Sequence, residues 1–133
     1  MAKISRDEIK VRGLGRFKKS FGYSIDGLKY AYKNEQSMFI HLLTTCAVVI
    51  MNFILQISAF EWLVTFLAIG MVLSAELINT AIEAVVDMVT LEINPLAKIA
   101  KDCGSAATFV LAIMAAVIGL IVYVPYILNI FGI

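Results

Sequence analysis

Histidine, cysteine and proline are scarce in this chain. Its 133 residues include one histidine, two cysteines and two prolines. Cys46 and Cys103 show no CxxC pair or zinc-ligand spacing, so neither a disulfide framework nor a zinc site is predicted, and both are interpreted as small apolar residues. The phosphate-binding pattern GxxxxGK[ST] and a glycine-rich loop of the protein-kinase type are also absent from the sequence. Nucleotide sites of these two types are therefore excluded.

Apolar residues, by contrast, are abundant. They make up 61% of the chain, and the mean hydropathy is +0.90, more than a soluble core requires. The sequence therefore predicts an integral membrane protein. A net charge of +1 gives no global field that would attract nucleic acid. The first strongly apolar run begins only near residue 38, too late for a cleaved signal peptide, so we expect the N-terminus to be retained.

Three apolar runs are long enough to cross a bilayer, which takes roughly 20 residues. Only helices can do so with so few segments, because lipid offers no partners for backbone groups. We predict an all-α membrane protein with three transmembrane helices in a domain covering 36–133. The predicted spans are 38–57, 60–86 and 106–130.

The segment before the first span, residues 1–35, has a basic and amphipathic pattern. Apolar residues recur there every three or four positions with lysine and arginine between them, which indicates a helix lying in the headgroup plane. Because glycine weakens helices, we expect a break or bend, most plausibly at Gly22. The apolar stripe consists of Leu14, Phe17, Phe21, Ile25, Leu28 and Tyr32.

The basic residues predict the orientation. Of eleven lysines and arginines, nine precede the first span, and Lys98 and Lys101 lie between the second and third. The positive-inside rule therefore places the N-terminus and a predicted loop over 87–105 in the cytoplasm. Trp62, Tyr123 and Tyr126 suit interfacial anchors near the opposite surface.

Acidic residues interrupt the second span in AELINTAIEAVVD, residues 75–87. Glu76, Asn79, Glu83 and Asp87 follow at spacings of three, four and four, so they share one helix face. A carboxylate near the bilayer centre costs about 2.5–3.5 kcal/mol, which a chain seldom bears without a partner or a task. Glu83 and Asp87 are expected near headgroup depth and Glu76 two to three turns deeper.

Several interpretations of these acids remain open on spacing alone. They could pair with Lys98 and Lys101 as structural salt bridges, which fits Asp87 best and Glu76 least. They could hold Mg²⁺ together with nucleotide phosphates, or they could form a proton or cation pathway. A non-catalytic membrane scaffold is a further alternative.

The segment LEINPLAKIAKDCGSAA follows these acids. Pro95 is expected to start or interrupt a turn, and LAKIAKD suggests a short helix that returns Lys98 and Lys101 to the membrane surface. The small residues from Gly104 onward allow close backbone approach.

Isolated polar residues occur in the first span. His41 has no second histidine to join it and is interpreted as a headgroup-level or packed residue. Asn52 and Gln56 are expected to form hydrogen bonds between helices.

Taken together, AELINTAIEAVVD, NPLAKIAKDCGSAA, Asn34-Glu35 and GYSIDGLKYA resemble the prokaryotic diacylglycerol kinase family, from about Arg16 to the third span. The resemblance implies a homotrimer in the bacterial plasma (inner) membrane. Each subunit is implied to have three transmembrane helices and a surface helix. The implied activity is transfer of the γ-phosphoryl group of Mg-ATP to the primary hydroxyl of a membrane lipid.

The same resemblance implies a role for each matching residue. Glu76 is the general base, and Glu35 and Glu83 hold Mg²⁺. The residues implied to contact ATP are Arg16, Tyr23, Asn79, Lys101 and Asp102, and those implied near the lipid are Lys19 and Ser105. Met88 stands where some members carry arginine, so a phosphate contact from that position is missing. The sequence of residues 94–107 combines features of the undecaprenol and diacylglycerol branches of the family, which leaves the acceptor lipid open.

Overall fold

A computed structural model describes residues 14–132, and every regular element in that range is an α-helix. The helices are α1 (Leu14–Asn34), α2 (Gln36–Leu55), α3 (Ala59–Val89) and α4 (Pro95–Ile130). The last three are each long and apolar enough to cross a membrane. The predicted all-α architecture with three spanning helices is therefore confirmed.

Helix α1 runs without interruption through Gly22, so the predicted break there is wrong. A single glycine costs a helix about 1 kcal/mol, which the rest of a 21-residue helix tolerates. The apolar stripe of α1 is exposed in the single chain, with Leu14 at 90% and Phe17 at 66%. Its position on a membrane surface stays a prediction. Residues 1–13 of the predicted interfacial segment lie outside the described range.

The turn between α2 and α3 is short and well capped. Gln56 ends α2 in the left-handed conformation with φ of 49°. Its side chain is exposed, so the predicted hydrogen bond from Gln56 to another helix is wrong. Ser58 then caps α3 in a reciprocal capping box with Glu61. Such caps satisfy backbone N–H groups that the first helical turn leaves without partners.

Helix α4 begins at Pro95, eleven residues before the predicted third span. The side chain of Asn94 accepts hydrogen bonds from the next backbone N–H groups, and proline suits the first helical position. The predicted loop over 87–105 is therefore wrong, because only residues 90–94 separate α3 from α4. The predicted short LAKIAKD helix is instead the opening of α4.

Polar contacts join the three long helices at the α2–α3 turn. The amide of Asn52, which is fully buried, donates to Thr65 at 2.9 Å and accepts from the Tyr123 hydroxyl at 2.6 Å. The Tyr126 hydroxyl donates to Glu61 at 2.7 Å. The predicted interhelical role of Asn52 is thus confirmed. Cys46 and Cys103 are both free and exposed.

The opposite end of the bundle carries Lys98 and Lys101 in the first turns of α4. Lys101 on α4 pairs with Asp87 on α3, and the α1–α2 junction lies at this end because α2 and α3 are antiparallel. We call it the basic end and define it by Glu35, Asp87, Lys98 and Lys101.

Candidate functional site

The polar face of α3 is buried along its second half. Glu76 is only 5% exposed, Asn79 8% and Thr80 9%, whereas Glu83 is half-buried and Asp87 is exposed at the basic end. The face arises from the helical spacing that the sequence predicted. It leads from a carboxylate enclosed among helices to carboxylates that meet solvent or headgroups.

Asn79 and Glu83 are connected directly. The Asn79 amide donates to Glu83 Oε1 at 2.9 Å across one helical turn, which holds one carboxylate oxygen in place. The other side of that amide, Oδ1, is buried and makes no hydrogen bond. A buried acceptor without a partner costs free energy, and the close packing of α3 on α4 at Asn79 bears that cost.

Gly104 on α4 makes room for Asn79. A β-carbon at position 104 would overlap Asn79 Oδ1 and lie 3.4 Å from Asn79 Cγ. Gly104 itself is buried. The sequence signal for this contact was the run of small residues from 104 to 107, although nothing in the run identified Asn79 as the neighbour.

Glu76 faces a histidine. His41 Nε2 on α2 lies 3.9 Å from Glu76 Oε2, and both side chains are largely shielded, at 20% and 7% exposed. The sequence interpretation of His41 as a headgroup-level or packed residue missed this pairing, because residues 35 positions apart carry no spacing signal. The Thr80 hydroxyl donates to the backbone carbonyl of Glu76 at 3.0 Å and not to the Glu76 carboxylate.

The predicted ATP-contacting pair Lys101 and Asp102 is engaged in ion pairs. Lys101 Nζ donates to Asp87 Oδ1 at 2.5 Å between α4 and α3. Asp102 pairs with Lys98 one turn earlier on α4. The structural salt bridge that the sequence allowed is therefore present for Asp87, while no ion pair to a lysine is found for Glu76 or Glu83 within residues 14–132.

The remaining predicted site residues are distributed around this region. Arg16, Lys19 and Tyr23 are exposed on α1, and Ser105 is exposed on α4. Glu35 is half-buried at the α1–α2 junction, where it caps α2 without a side-chain capping bond. In the part of the chain that the structure describes, no ion pair joins Arg16 or Lys19 to the α3 acids.

Comparison with known proteins identifies the family to which this chain belongs. The profile described as prokaryotic diacylglycerol kinase matches residues 22–123. The chain belongs to this family. An undecaprenol kinase of Bacillus subtilis is 41% identical over 112 residues, which cover 84% of this chain and 91% of that protein. A diacylglycerol kinase of Pseudomonas aeruginosa is 40% identical over 98 residues, covering 74% and 80%.

A third relative extends the comparison. A diacylglycerol kinase of Synechocystis is 37% identical over 111 residues, which cover 83% of this chain and 63% of the relative. Membership of the diacylglycerol kinase family confirms the predicted resemblance and the predicted class of enzyme, a lipid kinase. The family and the three apolar helices also confirm a multi-pass membrane protein.

The oxygen ligands of this protein fit a magnesium ion that is held partly by carboxylates and partly by phosphate oxygens and water. Within residues 14–132, no group of three or more histidine, cysteine or acidic side chains could enclose a metal. Mg²⁺ in phosphoryl-transfer sites is commonly held by one or two carboxylates together with phosphate oxygens and water. Glu83, fixed by Asn79, and Glu35, whose carboxylate makes no capping bond, are oxygen donors of this kind.

Proposed function

We propose that this lipid kinase transfers the γ-phosphoryl group of Mg-ATP to the primary hydroxyl of a membrane lipid at the cytoplasmic face. The observation that carries the proposal is the α3 face, on which the buried Glu76 stands two turns from Glu83 with Asn79 between them. The shielded carboxylate of Glu76 can accept the proton of an alcohol, and the carboxylate of Glu83 can bind a cation that accompanies the phosphoryl group.

The depth of these residues supports a site at the membrane–water interface. At about 1.5 Å per residue, Glu76 lies roughly 21 Å along α3 from Trp62 and Glu83 roughly 32 Å. The hydrocarbon core is about 30 Å thick. With Trp62 at one interface, Glu83 reaches the headgroups of the other leaflet, while Glu76 stays inside the hydrocarbon edge, where a lipid hydroxyl can reach it.

The basic end supports the cytoplasmic orientation. Lys98 and Lys101 lie there, together with the end of α1, whereas the α2–α3 turn and the end of α4 carry no lysine or arginine. Positive charge accumulates on the cytoplasmic side of membrane proteins. ATP is also a cytoplasmic substrate, so the nucleotide would approach the end at which Glu83 is accessible.

The chemical step needs a base and charge neutralisation. The lipid hydroxyl oxygen forms a bond to the γ-phosphorus, its proton passes to the Glu76 carboxylate, and the bond from the γ-phosphorus to the ADP oxygen breaks. Glu35 and Glu83 are the residues proposed to hold Mg²⁺, which when bound would neutralise phosphate charge. Phosphoryl transfer demands mainly such positioning and electrostatic stabilisation from a protein.

The nucleotide contacts complete the proposal. Arg16, Tyr23, Asn79, Lys101 and Asp102 are proposed to bind ATP, which requires Lys101 to exchange Asp87 for a phosphate oxygen. Lys19 and Ser105 are proposed to lie near the lipid headgroup. We also propose a homotrimer with sites shared between subunits, because the residues on α1 are exposed in the single chain.

The names of the relatives support two acceptors. The Bacillus subtilis relative is named an undecaprenol kinase, and those of Pseudomonas aeruginosa and Synechocystis are named diacylglycerol kinases. We propose that the acceptor is one of these two lipid alcohols. Both present a primary hydroxyl on an apolar body, which Glu76 would meet in the same way.

Reconstitution tests the proposal. The purified protein is placed in liposomes with radiolabelled ATP, and diacylglycerol and undecaprenol are offered side by side. We expect labelled lipid from the wild type and from the control Glu92→Gln, because Glu92 is exposed in the connection between α3 and α4. Glu76→Gln should reduce the rate by about 10²–10⁴, the usual contribution of a general base.

Two other outcomes would contradict the proposal. Ion flux in liposomes without nucleotide, lost in Glu76→Gln, would indicate a conductor that uses the same acids. Altered assembly in Glu76→Gln with undiminished lipid phosphorylation would indicate a structural carboxylate.

A further inference from the structure

The gap between His41 and Glu76 has the dimensions of a hydroxyl-binding site. At 3.9 Å, Nε2 and Oε2 are too far apart for a direct hydrogen bond, which spans about 2.7–3.2 Å. One oxygen atom placed about 2.8 Å from each of them fits the separation. Such an oxygen would accept from the imidazole N–H and donate its own proton to the carboxylate.

The surroundings of His41 indicate what could carry that oxygen. His41 also lines a cavity of about 340 Å³ between α2, α3 and α4, which extends to Tyr123 near the α2–α3 turn. Its walls are mainly alanine, isoleucine and valine side chains with a few threonines. A group that reaches His41 from this side is therefore surrounded by apolar atoms, and water is poorly accommodated.

We propose that His41 binds the acceptor alcohol, with its Nε2–H donating to the hydroxyl oxygen whose proton Glu76 removes. This inference rests on the proposed function and deepens it by assigning an acceptor-binding residue. The hydroxyl oxygen then has one lone pair engaged by His41 and the other directed at the γ-phosphorus. The bonds made and broken are those of the proposed step, and His41 neither gains nor loses a proton overall.

The geometry requires a donor at one ring position. A glutamine side chain places its amide nitrogen close to the position of histidine Nε2, whereas asparagine places it close to Nδ1. Leucine has a similar apolar volume and no donor. Three substitutions at position 41 therefore separate the hydrogen bond from the packing of the side chain.

The first test measures steady-state kinetics in liposomes, with the lipid and ATP varied independently. We expect His41→Leu and His41→Asn to lower kcat/KM for the lipid about tenfold, as the loss of one hydrogen bond predicts. The KM for ATP should stay unchanged, and His41→Gln should recover most of the loss. Equal kcat/KM for the lipid in Gln, Asn and wild-type proteins would overturn the proposal, as would an equal rise in the KM for ATP.

The second test uses a deoxy lipid, diacylglycerol with hydrogen in place of the hydroxyl, as a competitive inhibitor. Because it lacks the oxygen that His41 binds, its inhibition constant should be the same for wild type, His41→Asn and His41→Gln. An inhibition constant that rises as much as the acceptor KM would overturn the proposal in favour of a packing role. A wild type without lipid kinase activity would instead overturn the proposed function itself.

Discussion

Asn79 and Gly104 lie in such close contact that residue 104 has no space for a side chain. A β-carbon there would overlap Asn79 Oδ1, while the other end of the same amide is held by Glu83. The Asn79 side chain therefore cannot move away without releasing Glu83. The close approach of α3 and α4 thus fixes the Asn79 side chain and, through it, the orientation of Glu83, which is proposed to bind magnesium.

Gly104→Ala should consequently impair both stability and activity. Overpacking of this kind costs about 1–3 kcal/mol of the free energy of unfolding. Loss of the Asn79–Glu83 hydrogen bond should lower the kinase rate about tenfold. Unfolding in mixed detergent micelles and the liposome kinase assay measure the two effects.

Gly70→Ala on α3 is the control. An added methyl group there would have no heavy atom within 4 Å, and Gly70 does not line the cavity that reaches His41. It should change stability and rate little. Similar losses in both variants would show that the long helices respond to any added volume and that the Asn79 contact has no special role.

The helices were predictable because hydrophobic length and helical spacing are properties of single segments. The three spans and the shared face of Glu76, Asn79 and Glu83 follow from those properties alone. The start of α4 was misplaced because Pro95 was interpreted as part of a turn, whereas Asn94 as a cap makes proline the first residue of a helix.

Contacts between helices were less predictable, because they depend on which faces meet. His41 had no local partner in the sequence, and only the packing of α2 on α3 brings it to Glu76. The Lys101–Asp87 pair was one of several pairings that the charges allowed. Asn52 was correctly expected to bond between helices, although Thr65 and Tyr123 were not identified as its partners.

The Lys101–Asp87 ion pair should compete with nucleotide binding. Lys101→Met should raise the KM for ATP about 10–100-fold, because a hydrogen bond between charged groups contributes about 1.5–3 kcal/mol. Asp87→Asn should lower the KM for ATP, since it releases Lys101 and removes a negative charge. Its effect on stability should stay under about 1 kcal/mol, because the pair is partly exposed. A loss of ATP binding in Asp87→Asn as large as in Lys101→Met would show that the intact pair is required.

Glu83→Gln should alter the magnesium requirement selectively. The glutamine oxygen can still accept from Asn79, but the negative charge that favours a cation is lost. We expect the Mg²⁺ concentration for half-maximal activity to rise about tenfold or more. Removal of a group that only orients a metal ligand already lowers metal affinity about 10–100-fold. Titration of Mg²⁺ at fixed ATP measures this, with Glu92→Gln as the carboxylate control. A reduced maximal rate with an unchanged Mg²⁺ requirement would contradict the assignment of Glu83 as a ligand.

Asn52→Leu should destabilise the bundle without affecting the chemistry. The substitution removes the bonds to Thr65 and Tyr123 and leaves both hydroxyl groups without that partner at the α2–α3 turn. Hydrogen bonds between membrane helices average about 0.6 kcal/mol and reach about 1.7, so we expect a loss of roughly 1–2 kcal/mol. Detergent-induced unfolding measures the loss, and Asn129→Leu, exposed near the end of α4, is the control. Glu76 and Glu83 lie far along α3 from Thr65, so the kinase rate of the folded variant should match that of the wild type. A lower rate in fully folded protein would show that the two ends of the bundle are coupled.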